Sequence, residues 1–327
     1  KSLPIWEGFF VIKGVTMKAK IHKFEQGGHY ILLDINSGAV HVIDKMIYDM
    51  MDTFDGTNDE AVVAALKDVY PEADLREALG ELHELMEMGE LFAPDIDVPP
   101  TFKQKGLIKS ICLMVAQDCN LRCKYCFGDG GSYGQERAVM TPEVGKRAID
   151  FLIESCGPRK HCEVDFFGGE PLMNMKTVKA VTEYARQREK ETGKKFKLTM
   201  TTNGMLLDPA KVKYLTDNHI SLILSLDGRP EVHDRMRPDA GGHGSYKTCA
   251  DNQVYAVKHR NGEEYYVRGT YTKYNLDFTK DVEHMADLGF EGLSMEPVVG
   301  DDLSYAITEK DLPRIFDEYD NLAEFYL

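Results

Sequence analysis

Three cysteines stand close together in "QDCNLRCKYCFGDGG", Gln117 to Gly131: Cys119, Cys123 and Cys126, spaced Cys-x3-Cys-x2-Cys. Thiolates are soft ligands, and three on one short loop can hold zinc together with a histidine, or an iron–sulfur cluster. Structural zinc sites favour paired Cys-x2-Cys knuckles, and the next histidine downstream is His161, so zinc is the poorer match. A ferredoxin-type cluster asks for a fourth cysteine, and none stands nearby. A [4Fe–4S] cluster held by three cysteines leaves one iron open for a small molecule to chelate. Inert core thiols are the bland alternative, but the Gly and Asp residues around these three do not read as core. The run "GDGGSYG" after Cys126 lacks a Gly-Lys-Ser/Thr ending, so it reads as a mobile loop near the thiols and not as a phosphate cradle. Cys112, Cys156, Cys162 and Cys249 are singly spaced within apolar stretches and are expected to be buried as small hydrophobes.

The elements that must carry this loop alternate. "SICLMVA" reads as a strand buried on both faces and leads straight into the cysteines. Thr141 with Pro142 opens a helix through about Ser155. Strands follow at "CEVDFF", "FKLTMTT", "SLILSLDG", "EYYVRGTYT" and "GLSMEPVV", separated by helices over 174–191, from Asp208, over 245–259 and over 279–287, with a last helix from Thr308. Repeated strand–helix order means a parallel sheet with right-handed crossovers. Six units suit an α/β fold of the partial (β/α)6 barrel type, and barrel chemistry belongs at the C-terminal strand ends.

Ahead of the barrel, residues 17–95 read as a small winged-helix-like α+β module. "AKIHKFE", "HYILLDI" and "AVHVID" are strands joined at Gly27-Gly28 and at Asn36 to Gly38. Helices come next over 44–54, after Asn58 as N-cap, and over "DLREALGELHELMEMGELF". Residues 96–109, with consecutive prolines, read as a linker, and 110–327 as the barrel. Residues 1–16 differ in character from the stretch that Met17 opens and are expected to be an upstream or fused segment.

The chain has 327 residues, 43% hydrophobic, and a formal charge of −15 from 39 basic and 54 acidic side chains. That balance argues against nucleic acid as a partner, since no broad basic field exists to replace counterions. There is no apolar run of membrane-spanning length and no secretory signal at the start. Seven cysteines, an odd number in a long chain, point to reduced thiols in the cytoplasm.

Cys-x3-Cys-x-aromatic-Cys, with Tyr125 in the aromatic slot at the end of the first barrel strand, resembles the signature of radical S-adenosylmethionine (SAM) enzymes. The resemblance implies a [4Fe–4S] cluster on Cys119, Cys123 and Cys126, with SAM on the open iron. "GGEP" resembles the family's GGE motif and implies that Gly168, Gly169 and Glu170 meet the SAM amino group. Thr202 and Asn203 of "TTNG", and Ser225 and Asp227 of "SLDG", would join the same rim. Arg268 would reach the SAM carboxylate, and Met295 would line the adenine side.

The front module, and "IHKFEQGGHYILLDINSGAVHVID" in particular, resembles the peptide-recognition end of maturases for SCIFF (six cysteines in forty-five) peptides. That resemblance implies a cysteine-rich precursor peptide whose leader binds the module, an external electron donor and a reducing, anaerobic setting. It implies reductive cleavage of SAM, hydrogen abstraction from the peptide and closure of a cysteine sulfur-to-carbon thioether. A sulfatase-maturase-like peptide-oxidising enzyme, or a leader-binding iron–sulfur protein without catalysis, are the alternatives. The related enzymes carry a cysteine-rich SPASM-like domain with auxiliary [4Fe–4S] clusters after the barrel. The sequence ends at "EYDNLAEFYL" without such cysteines, so that domain is expected to be absent or cut away. No general base can be read from the sequence.

Overall fold

The structure is a computed structural model, and it describes residues 21–94, 107–300 and 302–326. The segment expected to be upstream, 1–16, and most of the expected linker, 96–109, lie outside the described residues. By compactness the chain divides into two units, Lys1–Phe102 and Lys103–Leu327.

The first unit holds an antiparallel sheet in the order β1 (Ile21–Gln26), β2 (His29–Asp34), β3 (Val40–Ile43). Gly27 and Gly28, both at positive φ, make the first hairpin turn. Helices α1 (Lys45–Met50), α2 (Asp59–Leu66) and α3 (Glu72–Glu87) follow. The side chains of Asp44 and Asn58 accept the N–H groups of Ile47 and Ala61, which caps α1 and α2. Leu32, Met50, Val62, Leu75, Leu79 and Leu82 form the core of this unit. They are the positions that period-two and period-3.6 patterning assign to the inner faces. Asp34 is 1% exposed at the end of β2, and its carboxylate accepts from the N–H groups of Asn36, Ser37 and Ala93. Burial works against that charge, but the three donations outweigh it and hold the carboxyl below its usual range. At the other side of the sheet, β3 pairs only with β2 among the described residues, and Val40 and Val42 are exposed on it.

The second unit is a six-stranded parallel sheet in sequential order: β4 (Ser110–Ala116), β5 (His161–Gly168), β6 (Lys195–Thr202), β7 (Ile220–Ser225), β8 (Tyr265–Tyr271) and β9 (Leu293–Pro297). The crossovers carry α4 (Pro142–Ser155), α5 (Met175–Thr192), α6 (Pro209–Asp217), α7 (Pro230–Met236), α8 (Tyr246–Lys258) and α9 (Thr279–Asp287); α10 (Leu312–Tyr326) follows β9. Thr141, Asp208 and Asn174 cap α4, α6 and α5 through their side chains, as residues of these types at helix starts should. The order is linear, so β4 and β9 are the two edges and the barrel is partial.

Every second strand residue packs under the helices: Leu113 and Val115, Val164 and Phe166, Leu198 and Met200, Leu222 and Leu224. The other face of each strand is only partly covered. The expectation that β4 is buried on both faces is therefore corrected, because the inside of an open barrel is a cleft. Cys112 shares that correction: it is exposed on the inner face, whereas Cys156, Cys162 and Cys249 are buried. The short helix α7 was not anticipated, although Pro230 at its first position and Pro238 just beyond its end mark it.

Candidate active site

Strand β4 delivers the chain into the cysteine loop, and the loop after β5 lies directly against it. Gly169 N–H donates to Ala116 O at 2.7 Å, and Glu170 N–H to Asp118 O at 2.9 Å. A Cβ on Gly168 would sit 2.3 Å from Ala116 O, and one on Gly169 2.1 Å from Asp118 O. Gly168 also has φ 128°, a backbone region closed to most side chains. Glycines here let two backbones touch, and so fix where the thiols begin.

Cys119, Cys123 and Cys126 line one cavity of about 170 Å³ at the C-terminal ends of the strands. With them are Tyr125, Gly168, Gly169, Thr202, Asn203 and Ser225, so nine of the residues singled out in the sequence meet there. Cys119 Sγ accepts from Leu121 N–H at 3.4 Å and from Asn203 Nδ2 at 3.6 Å. Burial pushes the Cys119 thiol up to about 12 and raises Cys123 as well. Such thiols stay protonated in neutral solution until metal displaces the proton, so iron uptake releases acid.

The thiols ring the cavity without converging on a point. Among the described residues no three His, Cys, Asp or Glu are close enough to share one metal ion. A mononuclear site draws its sulfurs to about 2.3 Å from a single centre, whereas a cluster puts each thiolate on a different iron. Three free thiols, N–H groups aimed at one of the sulfurs and a dented wall of glycine backbone fit a [4Fe–4S] group.

Four other expected contacts do not reach this cavity. Glu170 is 0% exposed: Oε1 accepts from Leu172 N–H at 3.0 Å and Thr202 Oγ1 at 2.7 Å, and Oε2 accepts from Asn203 N–H at 2.8 Å. It braces β5 to β6 from behind the rim. Burial raises its carboxyl, and those three donors pull it back. Asp227, also 0% exposed, accepts from Tyr125 Oη at 2.6 Å and Thr270 N–H at 3.2 Å. Arg268 forms an ion pair with Glu296 on the inner face of β8 and β9. Met295 packs against the main core and lies beside Gly269.

Several participants escaped sequence reasoning. Arg237 lines the cavity and is 7% exposed. Gln253, buried on α8, donates from Nε2 to Asn203 O at 3.1 Å and Ser225 O at 3.0 Å, tying two rim strands together. Phe127, 81% exposed, stacks on Phe167 at 6.4 Å and meets Tyr133 edge-on at 5.9 Å, walling the cavity with rings. The glycine-rich segment expected to be mobile forms a 3-10 turn over Asp129–Gly131, and Tyr133 Oη donates to Gly168 O at 3.1 Å. A larger cavity, about 770 Å³, opens at the opposite end of the strands among His161, Arg186, Lys197 and Glu264. Among the described residues one cysteine, Cys162, lines it, whereas all three cysteines of the loop line the smaller cavity.

Deeper in the barrel, burial pushes the Asp165 carboxyl up to about 6. Its Oδ1 has no hydrogen-bond partner, and its Oδ2 has only the Cys112 thiol at 3.9 Å. Because this value lies above the ordinary 3.8, the folded chain holds the proton more tightly than the unfolded chain. The resulting stability is present below about pH 4 and is lost as pH rises through about 6. Urea unfolding should therefore show wild type losing more stability between these limits than Asp165→Asn. The variant should be the more stable of the two at neutral pH.

Residues 113–250 match the family model of the Radical SAM superfamily. The radical SAM cyclopropyl synthase TigE of Paramaledivibacter caminithermalis is 32% identical over 137 residues, 38% of this chain and 28% of that protein. A cysteine-type anaerobic sulfatase-maturating enzyme of Clostridium perfringens is 32% identical over 132 residues, 38% of this chain and 34% of the enzyme. The chain thus spans about a third of the length of these curated relatives. Among solved structures, native anSMEcpe with bound AdoMet superposes with a TM-score of 0.59 at 22% identity, covering 66% of this chain and 59% of that one. A second structure of anSMEcpe, with AdoMet and the Kp18Cys peptide, gives 0.58 at the same identity, covering 66% and 59%. At that identity the likeness is one of fold, an α/β parallel sheet. With the three-cysteine loop at the end of its first strand, the segment 113–250 is similar to the Radical SAM superfamily, a family that implies a [4Fe–4S] cluster and SAM.

Proposed function

We propose that the chain is a radical SAM peptide maturase that installs a cysteine sulfur-to-carbon thioether in a ribosomally made, cysteine-rich peptide. The observation that carries the radical SAM part is the convergence of Cys119, Cys123 and Cys126 with Gly168, Gly169, Thr202, Asn203 and Ser225 on one cavity. The three thiols would hold the cluster; the glycine backbone, Thr202, Asn203, Ser225 and the Tyr125 ring would hold SAM. When bound, that pair supplies an electron and a primary carbon radical able to take a hydrogen atom from substrate. The chain's own contribution is placement. Glu170 and Gln253 lock the strand ends, and Phe127, Phe167 and Tyr133 line the cavity with aromatic rings.

The peptide part rests on the first unit, whose β3 offers Val40 and Val42 on an edge free of further strand pairing among the described residues. Such an edge suits addition of an extended leader strand. The sulfatase-maturase-like reading draws on the C. perfringens relative, whose match covers only part of the chain. It supplies no role for this sheet.

The test is anaerobic reconstitution with iron, sulfide and dithionite, followed by assay of 5′-deoxyadenosine and of the peptide encoded beside the gene. A thioether removes two hydrogens per link and makes one cysteine per link resistant to alkylation. Hydrogen loss with every cysteine still alkylatable favours the rival peptide-oxidising reading. No 5′-deoxyadenosine at all refutes both. Replacing Val40 and Val42 together with Asp should weaken leader binding about tenfold, or about 1.4 kcal/mol, as read by fluorescence anisotropy. Since both side chains are exposed, stability should move by no more than about 0.5 kcal/mol. Unaltered affinity would move the leader elsewhere.

A further inference from the structure

The segment that follows α7 lies along the cysteine loop like a short antiparallel strand. Lys124 N–H donates to Met236 O at 2.8 Å, Arg122 N–H to Pro238 O at 2.8 Å, and Ala240 N–H to Asn120 O at 3.0 Å, with Leu121 and Asp239 bridged between them. Arg237 sits in the middle of this clamp, and its side chain turns inward. Its Nη1 donates to Tyr125 Oη at 3.0 Å and lies 3.6 Å from Asp227 Oδ1. Its Nε is buried with no hydrogen-bond partner, an unusual state for a guanidinium.

Other groups hold Arg237 where it is. Asp227 N–H donates to His233 Nδ1 at 3.3 Å, His233 Nε2 faces Ser245 Oγ at 3.0 Å, and Ser245 Oγ donates to Arg237 O at 2.5 Å. Burial and the nearby Arg237 charge keep His233 well below its ordinary value, which suits the neutral ring this chain of donors needs. Burial also opposes the Arg237 charge, but Tyr125, Cys123 and Asp227 favour it, and arginine keeps its proton in any protein setting. A permanent cation thus lines the cavity of the three thiols. Its counter-charge, Asp227, stands behind it, outside the lining.

We propose that Arg237 is a positioning residue of this cavity, clamping the cysteine loop through Tyr125 and raising the reduction potential of the iron–sulfur cluster bound there. The inference rests on the reading that Cys119, Cys123 and Cys126 hold such a cluster. The physics is that reduction adds negative charge, and a fixed cation in a water-poor site stabilises the reduced form more than the oxidised one. Tuning by groups beyond the ligands is the general behaviour of metal sites.

The experiment is a dithionite titration of the reconstituted full chain, with the reduced cluster followed by electron paramagnetic resonance and bound iron counted in parallel. Arg237→Gln should shift the midpoint negative by at least tenfold in the one-electron equilibrium, about 59 mV. Arg237→Lys, which keeps the charge, should recover most of that shift. Asp227→Asn, which removes the counter-charge and keeps the shape, should move the midpoint the opposite way. A structural disturbance alone would not give opposite signs. Equal midpoints in wild type and all three variants, or equal shifts in the Gln and Lys variants, overturn the proposal. Should the Gln variant hold no iron, the Lys and Asn variants decide it by the same criteria. Absence of a cluster in the wild type would instead sink the underlying assignment of the cysteines.

Discussion

Alanine at Cys119, Cys123 and Cys126 together is expected to leave a folded protein without the cluster and with no measurable cleavage of SAM. Of all the changes considered, this has the largest expected effect on activity, because thiolate ligation is what would hold the iron. The fold should survive, since the loop is fixed by backbone contacts that do not involve sulfur, among them Gly169 N–H to Ala116 O and Arg122 N–H to Pro238 O. Cys156, Cys162 and Cys249 form the contrast. They are buried in the hydrophobic core and do not line the cavity of the three thiols, and replacing them with Ala or Val should cost stability and no iron. Iron analysis, the visible spectrum and circular dichroism of the two sets, prepared anaerobically side by side, check the pair of outcomes. A triple variant that retains the cluster spectrum, or still yields 5′-deoxyadenosine, contradicts the assignment.

Glu170→Ala should produce the largest loss of stability, about 3–5 kcal/mol. Its carboxylate satisfies three buried donors, and each left unpaired costs about 1–3 kcal/mol, with incomplete additivity. The alternative role, direct contact with the SAM amino group, makes a different forecast: a raised KM for SAM with unfolding midpoints nearly unchanged. The geometry favours the brace, since both carboxylate oxygens face protein donors and the residue does not line the cavity. Urea unfolding of the iron-free protein separates the two, because SAM is then absent from both measurements. Glu170→Gln should fall between, as its amide nitrogen must confront an N–H donor that the carboxylate accepted.

The four sequence-assigned residues that stand apart from the cavity share a cause. Glu170, Asp227, Arg268 and Met295 lie on or just after β5, β7, β8 and β9, but a strand end offers two faces. Glu170 and Asp227 are turned into the protein by buried N–H and O–H donors contributed from other strands. Arg268 faces the inner cleft, where Glu296 on the neighbouring strand is the nearest counter-charge. Met295 packs into the core. A carboxylate in a motif can hold a ligand or hold the scaffold, and only its three-dimensional neighbours separate those roles.

Much was determined by the sequence alone. Alternating apolar residues with capped helices between them specified six parallel strand–helix units, because each segment's periodicity and caps are local properties of a few residues. The Cys-x3-Cys-x2-Cys spacing specified a thiol loop for the same reason: ligands that close in sequence cannot help being close in space. What tertiary structure alone decided are contacts between residues far apart in the chain. Arg237 meets Tyr125 across more than a hundred positions, and nothing about an arginine before a proline announces a buried cation beside three thiols. Gln253 reaches two strand ends from a helix whose pattern marks it only as another polar residue. Cys112 lies open where an apolar run suggests burial, because an unclosed barrel leaves its inner face to a cleft. Local pattern fixes which segment is a strand; which face of it sees solvent depends on whether the sheet closes, and that is settled by every strand at once.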